Sequence, residues 1–268
     1  MIALFALPGL PAQAAPAKVT GFKYEWPKAL EATPALIAWL KKDRAAVYKD
    51  YAPLFNEAPE AGPGLDSYEN GTSWTIQTRL APLIVLTASR WSYTGGAHGY
   101  GFTDSLIWDT GASVAVPFAG LFTNARAAEA LLTPLYCRAL DKARMEKRGE
   151  PTARDDMFGD CPKLFESAKI WPDKPVYAKF SRIAMSLGAY TAGPYAEGSY
   201  DLEIIIPKGL KPLVKPQYRV LFPVAGMTQS DYPRCARKNA SVRPSASAAP
   251  ASSRRLPISA AKPWSSPT

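Results

Sequence analysis

The chain has 268 residues with 32 Lys/Arg, 23 Asp/Glu and a single histidine, a formal charge of +9. The length allows one large domain or two small ones at about 100–200 residues each, and 47% hydrophobic content can fill a sizeable core. The stretch from residue 226 onward holds seven of the basic residues and one Asp, so the remainder is nearly balanced, and with no basic stripe interleaved with aromatics the composition argues against nucleic-acid binding.

Met1 to Ala17 carry no charge, and Ile2 to Leu7 form a short apolar run ahead of an Ala-x-Ala pattern at Ala12-Gln13-Ala14. This reads as a secretory signal peptide over residues 1–14, cleaved after Ala14. No Lys or Arg precedes the run, so the chain is read as beginning inside its signal. No later stretch approaches the roughly 18 apolar residues of a membrane span. Export to the periplasm or medium follows as the expected localisation. Phe22 to Pro27 is a short extended segment. Leu36, Ile37, Leu40, Val47 and Tyr48 recur at near-helical spacing and predict an amphipathic helix over Ala35 to Tyr51. Asn56 to Gly64 is rich in Pro, Gly and acid, a loop.

The period then falls to two. Ser73 to Leu80 and Leu83 to Trp91 read as strands, Phe102 to Asp109 as a third, and Asp109-Thr110-Gly111 as a hairpin turn into Ser113 to Val116. Asn124 caps a long helix that ends at Gly149 and Pro151. A short helix over Cys161 to Ala168 precedes Trp171-Pro172-Asp173-Lys174-Pro175, read as a turn. Val176 to Leu187 gives one or two strands, and Tyr200 to Ile206 another. Meandering strands with helices inserted predict an α+β fold, an antiparallel sheet with inserted helices in two closely associated subdomains. Residues 226–268, rich in Ser, Ala, Pro and Arg, read as a disordered basic tail. Cys137 and Cys161 flank a helix and polar loop that a disulfide could close in an oxidising compartment; Cys235 is left over in the tail. No Cys-x-x-Cys or Cys/His cluster marks a metal site, and no cofactor motif is present.

Between the second and third strands lies Tyr93-Thr94-Gly95-Gly96-Ala97-His98-Gly99-Tyr100-Gly101, with four glycines around the only histidine. A second segment of the same character, Ala189-Tyr190-Thr191-Ala192-Gly193-Pro194-Tyr195-Ala196-Glu197-Gly198, precedes the last strand. Gly95, Gly96, Gly99, Gly193, Pro194 and Gly198 are expected to shape tight turns, and Tyr93, His98, Tyr100, Tyr190 and Tyr195 are the candidate binding groups. The turns are expected to pack on each other across the sheet or to form one rim of a groove for a protein loop or glycan. As a general base His98 would need an orienting acid, with Asp104, Asp109 and Glu197 as candidates; no Gly-x-Ser-x-Gly elbow supplies a nucleophile. Arg144 to Arg148 reads as a solvated helix end whose cations suit the helix dipole, and Asp155, Asp156 and Asp160 as a surface loop.

The order of these motifs, with Phe118-Ala119-Gly120-Leu121-Phe122 entering the long helix between them, resembles the RsiV/PdaC-type extracytoplasmic family, the domain of unknown function 3298 preceded by a 4163-type half. The resemblance covers roughly Phe22 to Val224 and divides it into halves at 22–112 and 113–224. It implies an α+β envelope domain, one member type being an anti-sigma factor that binds lysozyme and another carrying a polysaccharide deacetylase domain. The membrane span of the first and the metal-binding His/Asp set of the second have no counterpart in this sequence. The expected function is therefore an exported cell-envelope binding protein for a lysozyme-like protein or peptidoglycan. The alternatives are an envelope hydrolase using His98 and a structural envelope scaffold.

Overall fold

A computed structural model describes residues 21–57, 69–94, 98–153 and 155–223. The signal peptide, Gly95 and Gly96, Cys235 and the basic tail lie outside the described residues. The described chain falls within one compact unit of α+β architecture. Its first sheet has five strands in sequential order: β1 (Phe22–Glu25), β2 (Glu69–Leu80), β3 (Leu83–Tyr93), β4 (Tyr100–Asp109) and β5 (Val114–Val116). The second has three: β6 (Lys169–Val176), β7 (Lys179–Leu187) and β8 (Tyr200–Ile205). Helix α1 (Pro34–Glu57) follows β1, and α2 (Ala125–Arg148) and the single turn α3 (Leu164–Ser167) lie between the sheets in sequence.

Two sequence expectations need correction. The first sheet is mixed, because β1 runs parallel to β2 with Phe22 opposite Asn70 and Glu25 opposite Ser73; α1 is the crossover that returns the chain in the same direction. Trp171 to Pro175 is no turn but the body of β6, paired from Lys169–Ser186 to Val176–Lys179. Its two prolines lie on the edge strand of its sheet, the place in a sheet where proline is tolerated. The turn falls instead at Tyr177 and Ala178, both in the left-handed region.

Alternation on the long hairpin sorts the first sheet's two faces. Trp74, Ile84, Leu86, Ala88, Leu106 and Trp108 bury one face under Leu36 and Leu40 of α1. Leu83, Val85 and Ile107 face the other way, into a larger core shared with β7, β8 and the α2 residues Ala128, Leu132, Tyr136 and Leu140. Strand β8 alternates buried and exposed from Tyr200 to Ile205, whereas every residue of Ile183–Leu187 on β7 is buried, as expected of the central strand. Helix α2 is stopped at both ends as its sequence requires: the Asn124 side chain accepts from the Ala127 amide at 3.0 Å, and Gly149 closes it at φ 78°. Cys137 and Cys161 are disulfide-bonded. Among the described residues no helix is long and apolar enough to cross a membrane, and no cluster of three or more His, Cys, Asp or Glu is placed to hold a metal ion.

Candidate functional site

The two glycine-tyrosine segments meet. His98 stacks on Tyr195 with ring centroids 3.7 Å apart and planes 19° from parallel. The Tyr195 hydroxyl donates to the Gly99 carbonyl at 2.6 Å, and Tyr190 leans on Tyr195 at 5.7 Å. Glycine is required at these approaches by space more than by backbone angle. A Cβ on Gly99 would collide with the Trp91 ring and lie 2.9 Å from the Ser92 carbonyl; one on Gly188 would come 3.2 Å from the Tyr100 hydroxyl. Gly188, which sequence reading passed over, is where the second segment slides beneath β4. Among the described glycines of the two segments, Gly198 alone, at φ 67° and ψ −154°, sits in a conformation closed to other residues.

The result is an aromatic ridge. Tyr190 is 55% exposed and His98 exposed, with Tyr195 half-buried; Trp91 and Tyr100, 43% and 41% exposed, flank them from adjacent register positions and so from opposite faces of the sheet. Tyr93 is half-buried one strand away at the start of the first segment. Tyr190 holds φ 66°, a left-handed conformation that costs a bulky residue about 1–2 kcal/mol. It sits in the turn that the Thr191 amide closes on the Gly188 carbonyl at 3.1 Å, with its ring exposed.

Beneath the ridge the second segment is pinned by the last turns of α2. Arg144 is fully buried and donates to the carbonyls of Ala192 at 2.9 Å, Asp160 at 2.9 Å and Gly159 at 3.3 Å. Arg148 grips Glu197 through two hydrogen bonds of 2.8 and 3.0 Å, and Tyr200 donates to the same carboxylate. Lys147 spans the Glu197 and Ser199 carbonyls at 2.5 and 2.6 Å, 4.0 Å above the Tyr200 ring. Gly193 leaves room for the Glu197 carboxylate, which its Cβ would otherwise occupy. The run Arg144 to Arg148 is therefore a clamp and not a solvated helix end. Arg144, Lys147 and Arg148 each reach a partner about fifty residues onward, and Arg144 also reaches two carbonyls 15 and 16 residues onward, beyond the reach of local pattern reading.

Electrostatics follows from this wiring. The hydrogen bonds from Arg148 hold the Glu197 carboxyl below the usual carboxylate range against the opposing effect of burial, and the same contact raises Arg148. Burial, reinforced by Glu197, pushes the Tyr200 hydroxyl up to about 12. Burial lowers Arg144, with repulsion from Arg148 adding to it. A carboxyl whose folded pKa is depressed stabilises the fold above its unfolded value, about 4.3 for Glu, and loses that contribution as pH falls through the folded value. Glu197→Gln is expected to cost about 1–2 kcal/mol at pH 7 and to flatten the acid limb of stability below about pH 4.3, measured by urea unfolding from pH 7 to pH 3. An unchanged acid limb would show that the Arg148 clamp contributes nothing.

None of the three candidate acids orients His98. Its hydrogen bond among the described residues runs from Nδ1 to the Gly99 carbonyl at 3.2 Å. Asp104 is held by Arg90 and Lys169 at 3.0 and 3.1 Å. Asp109 is buried and accepts from the Tyr218 hydroxyl at 2.6 Å and from the Gly111 and Ala112 amides; burial alone would raise its pKa, but those bonds outweigh it and hold it low. The imidazole is placed to stack on the Tyr195 ring.

The fold and this ridge define a small α+β domain that presents a braced aromatic surface. No protein-family model matches the chain, and no curated protein sequence matches it. Two solved structures are similar to it over part of their length. One is a member of the DUF3298 family from Bacteroides fragilis, 23% identical, covering 68% of this chain and 70% of that one with a TM-score of 0.43. The other is a DUF3298 family protein from Pseudomonas aeruginosa PAO1, 18% identical, covering 67% and 71% with a TM-score of 0.42. Likeness at this level carries no role from one protein to another, and what the site does has to come from its own residues.

Proposed function

We propose that this chain is an exported envelope-binding module of the RsiV/PdaC type, and that it takes the glycan strand of peptidoglycan on the ridge of His98, Tyr100, Tyr190 and Tyr195. The observation that carries this is the ring of Tyr190 beside the Tyr195–His98 stack. That ring is 55% exposed beside the stack, where a ligand can reach it. Flat rings with hydroxyl edges suit a sugar, whose C–H faces lie on aromatic planes while its hydroxyls meet the phenol oxygens. A lysozyme-like partner is commonly basic and would seek free carboxylates. Here Glu197 and Asp104 are already paired with Arg148, Arg90 and Lys169. An apolar N-terminal run and a closed disulfide support export to the periplasm or medium.

The test is co-sedimentation with purified sacculi. The parent is expected to pellet saturably, and Tyr190→Gly to bind about tenfold more weakly, the equivalent of one lost ring contact. That variant should remain within about 1 kcal/mol of the parent in stability, since relief of the left-handed strain offsets the added chain entropy of glycine. Equal retention of parent and variant, or no retention of the folded parent, overturns the glycan reading.

A further inference from the structure

Contacts along α2 sort the two ends of the second sheet. Lys147, in the last turn of α2, covers the ring of Tyr200, the first residue of β8. Past the other end of β8, a Cβ on Gly209 would lie 3.3 Å from Leu131 in the first half of α2, and the Lys215 amide donates to the Leu121 carbonyl, just ahead of that helix, at 2.9 Å. The start of β7 belongs to this second end. There the Ile206 amide donates to the Ser181 carbonyl at 3.3 Å, and the Phe180 ring meets that of Phe222 at 5.7 Å. The β6–β7 turn at Tyr177 and Ala178 and the 3-10 helices Lys211–Leu213 and Pro216–Leu221 therefore share one end of the molecule. The aromatic ridge lies past the opposite end of β7, from Gly188 onward.

Charge is concentrated at that end. Before residue 226 the chain holds 25 Lys/Arg and 22 Asp/Glu; residues 173–182 and 203–223 hold seven of the first and two of the second, so without them the rest of that span is slightly negative. Both acids have a cation beside them: Glu203 is paired with Lys174, and Asp173 stands opposite Arg182 in the ladder. Asp109, beneath Tyr218, is buried and already accepts from that hydroxyl and two amides. Lys179, Lys208, Lys211, Lys215 and Arg219 make no ion pair among the described residues. Apolar side chains stand among these cations. Tyr177 is 69% exposed at the hairpin turn, Val220 65% and Ile205 39%; after Met157, Tyr177 and Val220 are the most exposed large apolar side chains of the described residues. A soluble polyanion would satisfy the cations and leave those side chains unused. A bilayer surface uses both, because headgroup phosphates meet the lysines while apolar side chains enter the acyl boundary between them. A tyrosine, with its apolar ring and polar tip, suits that depth. We infer that this end of the molecule docks on a bilayer surface containing anionic phospholipid, with Tyr177 and Val220 inserted and Lys208, Lys211 and Lys215 at the phosphates. The inference does not rest on the glycan reading, since the ridge is at the other end of β7.

The test is flotation of the full chain with vesicles of phosphatidylcholine alone and of phosphatidylcholine mixed with an equal amount of phosphatidylglycerol. Saturable binding to the mixed vesicles, weakened by salt and absent from phosphatidylcholine, is the expected result. The triple variant Lys208→Gln, Lys211→Gln, Lys215→Gln should bind about a hundredfold more weakly. Tyr177→Asn combined with Val220→Ser should bind about tenfold more weakly; asparagine tolerates the left-handed backbone at 177, and both side chains are exposed, so the urea midpoint should stay at the parent's. Tyr190→Gly should bind vesicles like the parent, whatever it does to sacculi. No binding to the mixed vesicles, or equal binding to both kinds, overturns the inference. So does a triple variant that binds like the parent, since the basic residues after 226 would then carry the contact. An apolar variant that binds like the parent reduces the surface to a general polyanion contact and overturns it too.

Discussion

Arg144→Met is expected to lower the unfolding free energy by about 3–5 kcal/mol, the largest loss of any single change at the site. The guanidinium has no exposed surface and anchors three carbonyls on two separate segments, at Ala192 and at Gly159 and Asp160. Asp141 lies 3.5 Å away. Methionine fills much of the same volume, so the cost comes from the carbonyls left unpaired more than from a cavity. Arg144→Lys should recover only part of the loss, because one ammonium cannot reproduce a planar fork that serves three acceptors. Urea unfolding measures both variants. A methionine variant within 1 kcal/mol of the parent would mean that water reaches those carbonyls and that the clamp is not what fixes Ala192.

Removing the disulfide is expected to cost about 3 kcal/mol. Cys137 and Cys161 are 24 residues apart, and closing a loop of that length restricts the unfolded chain by about that amount on the chain-entropy estimate. The Cys137→Ala, Cys161→Ala double variant should unfold at lower urea than the oxidised parent, at a midpoint unaffected by reductant, while the parent should fall to the same midpoint once reduced. The cross-link also ends one residue after Asp160, whose carbonyl Arg144 holds. Loss of both features should therefore cost less than the two losses added, since either alone frees the same segment. Strict additivity would show that the loop ordered by the disulfide and the loop ordered by Arg144 are independent.

The parts of this fold that could be read in the sequence are those whose cause is local. Alternation from Ser73 to Leu80 places all of β2 but its first four residues, while β3 shows as the apolar run from Leu83, buried on both faces, and is placed to within two residues of its end. Asn124 and Gly149 bound α2 because a cap acts within one turn. Strand direction left no trace: Phe22 to Glu25 reads the same in a parallel as in an antiparallel pair. The prolines at 172 and 175 pointed to a turn because only sheet order reveals that β6 is an edge. Tyr190, Tyr195 and His98 stood out by composition, and the fold brings those three together. Gly188 and the cations of α2 did not stand out, since their roles depend on residues that arrive from distant strands.

His98 is the only histidine in the chain, so its imidazole proton resonances form a single resolvable reporter at the centre of the ridge. The most direct measurement is a proton NMR titration of those resonances with muropeptide-free glycan fragments released from peptidoglycan. A sugar laid on the Tyr195–His98 stack should move them saturably by ring and solvent displacement, with the movement weakened in Tyr190→Gly. Resonances that stay fixed at fragment concentrations where sacculi retain the protein would place glycan recognition elsewhere and contradict the role given to the ridge.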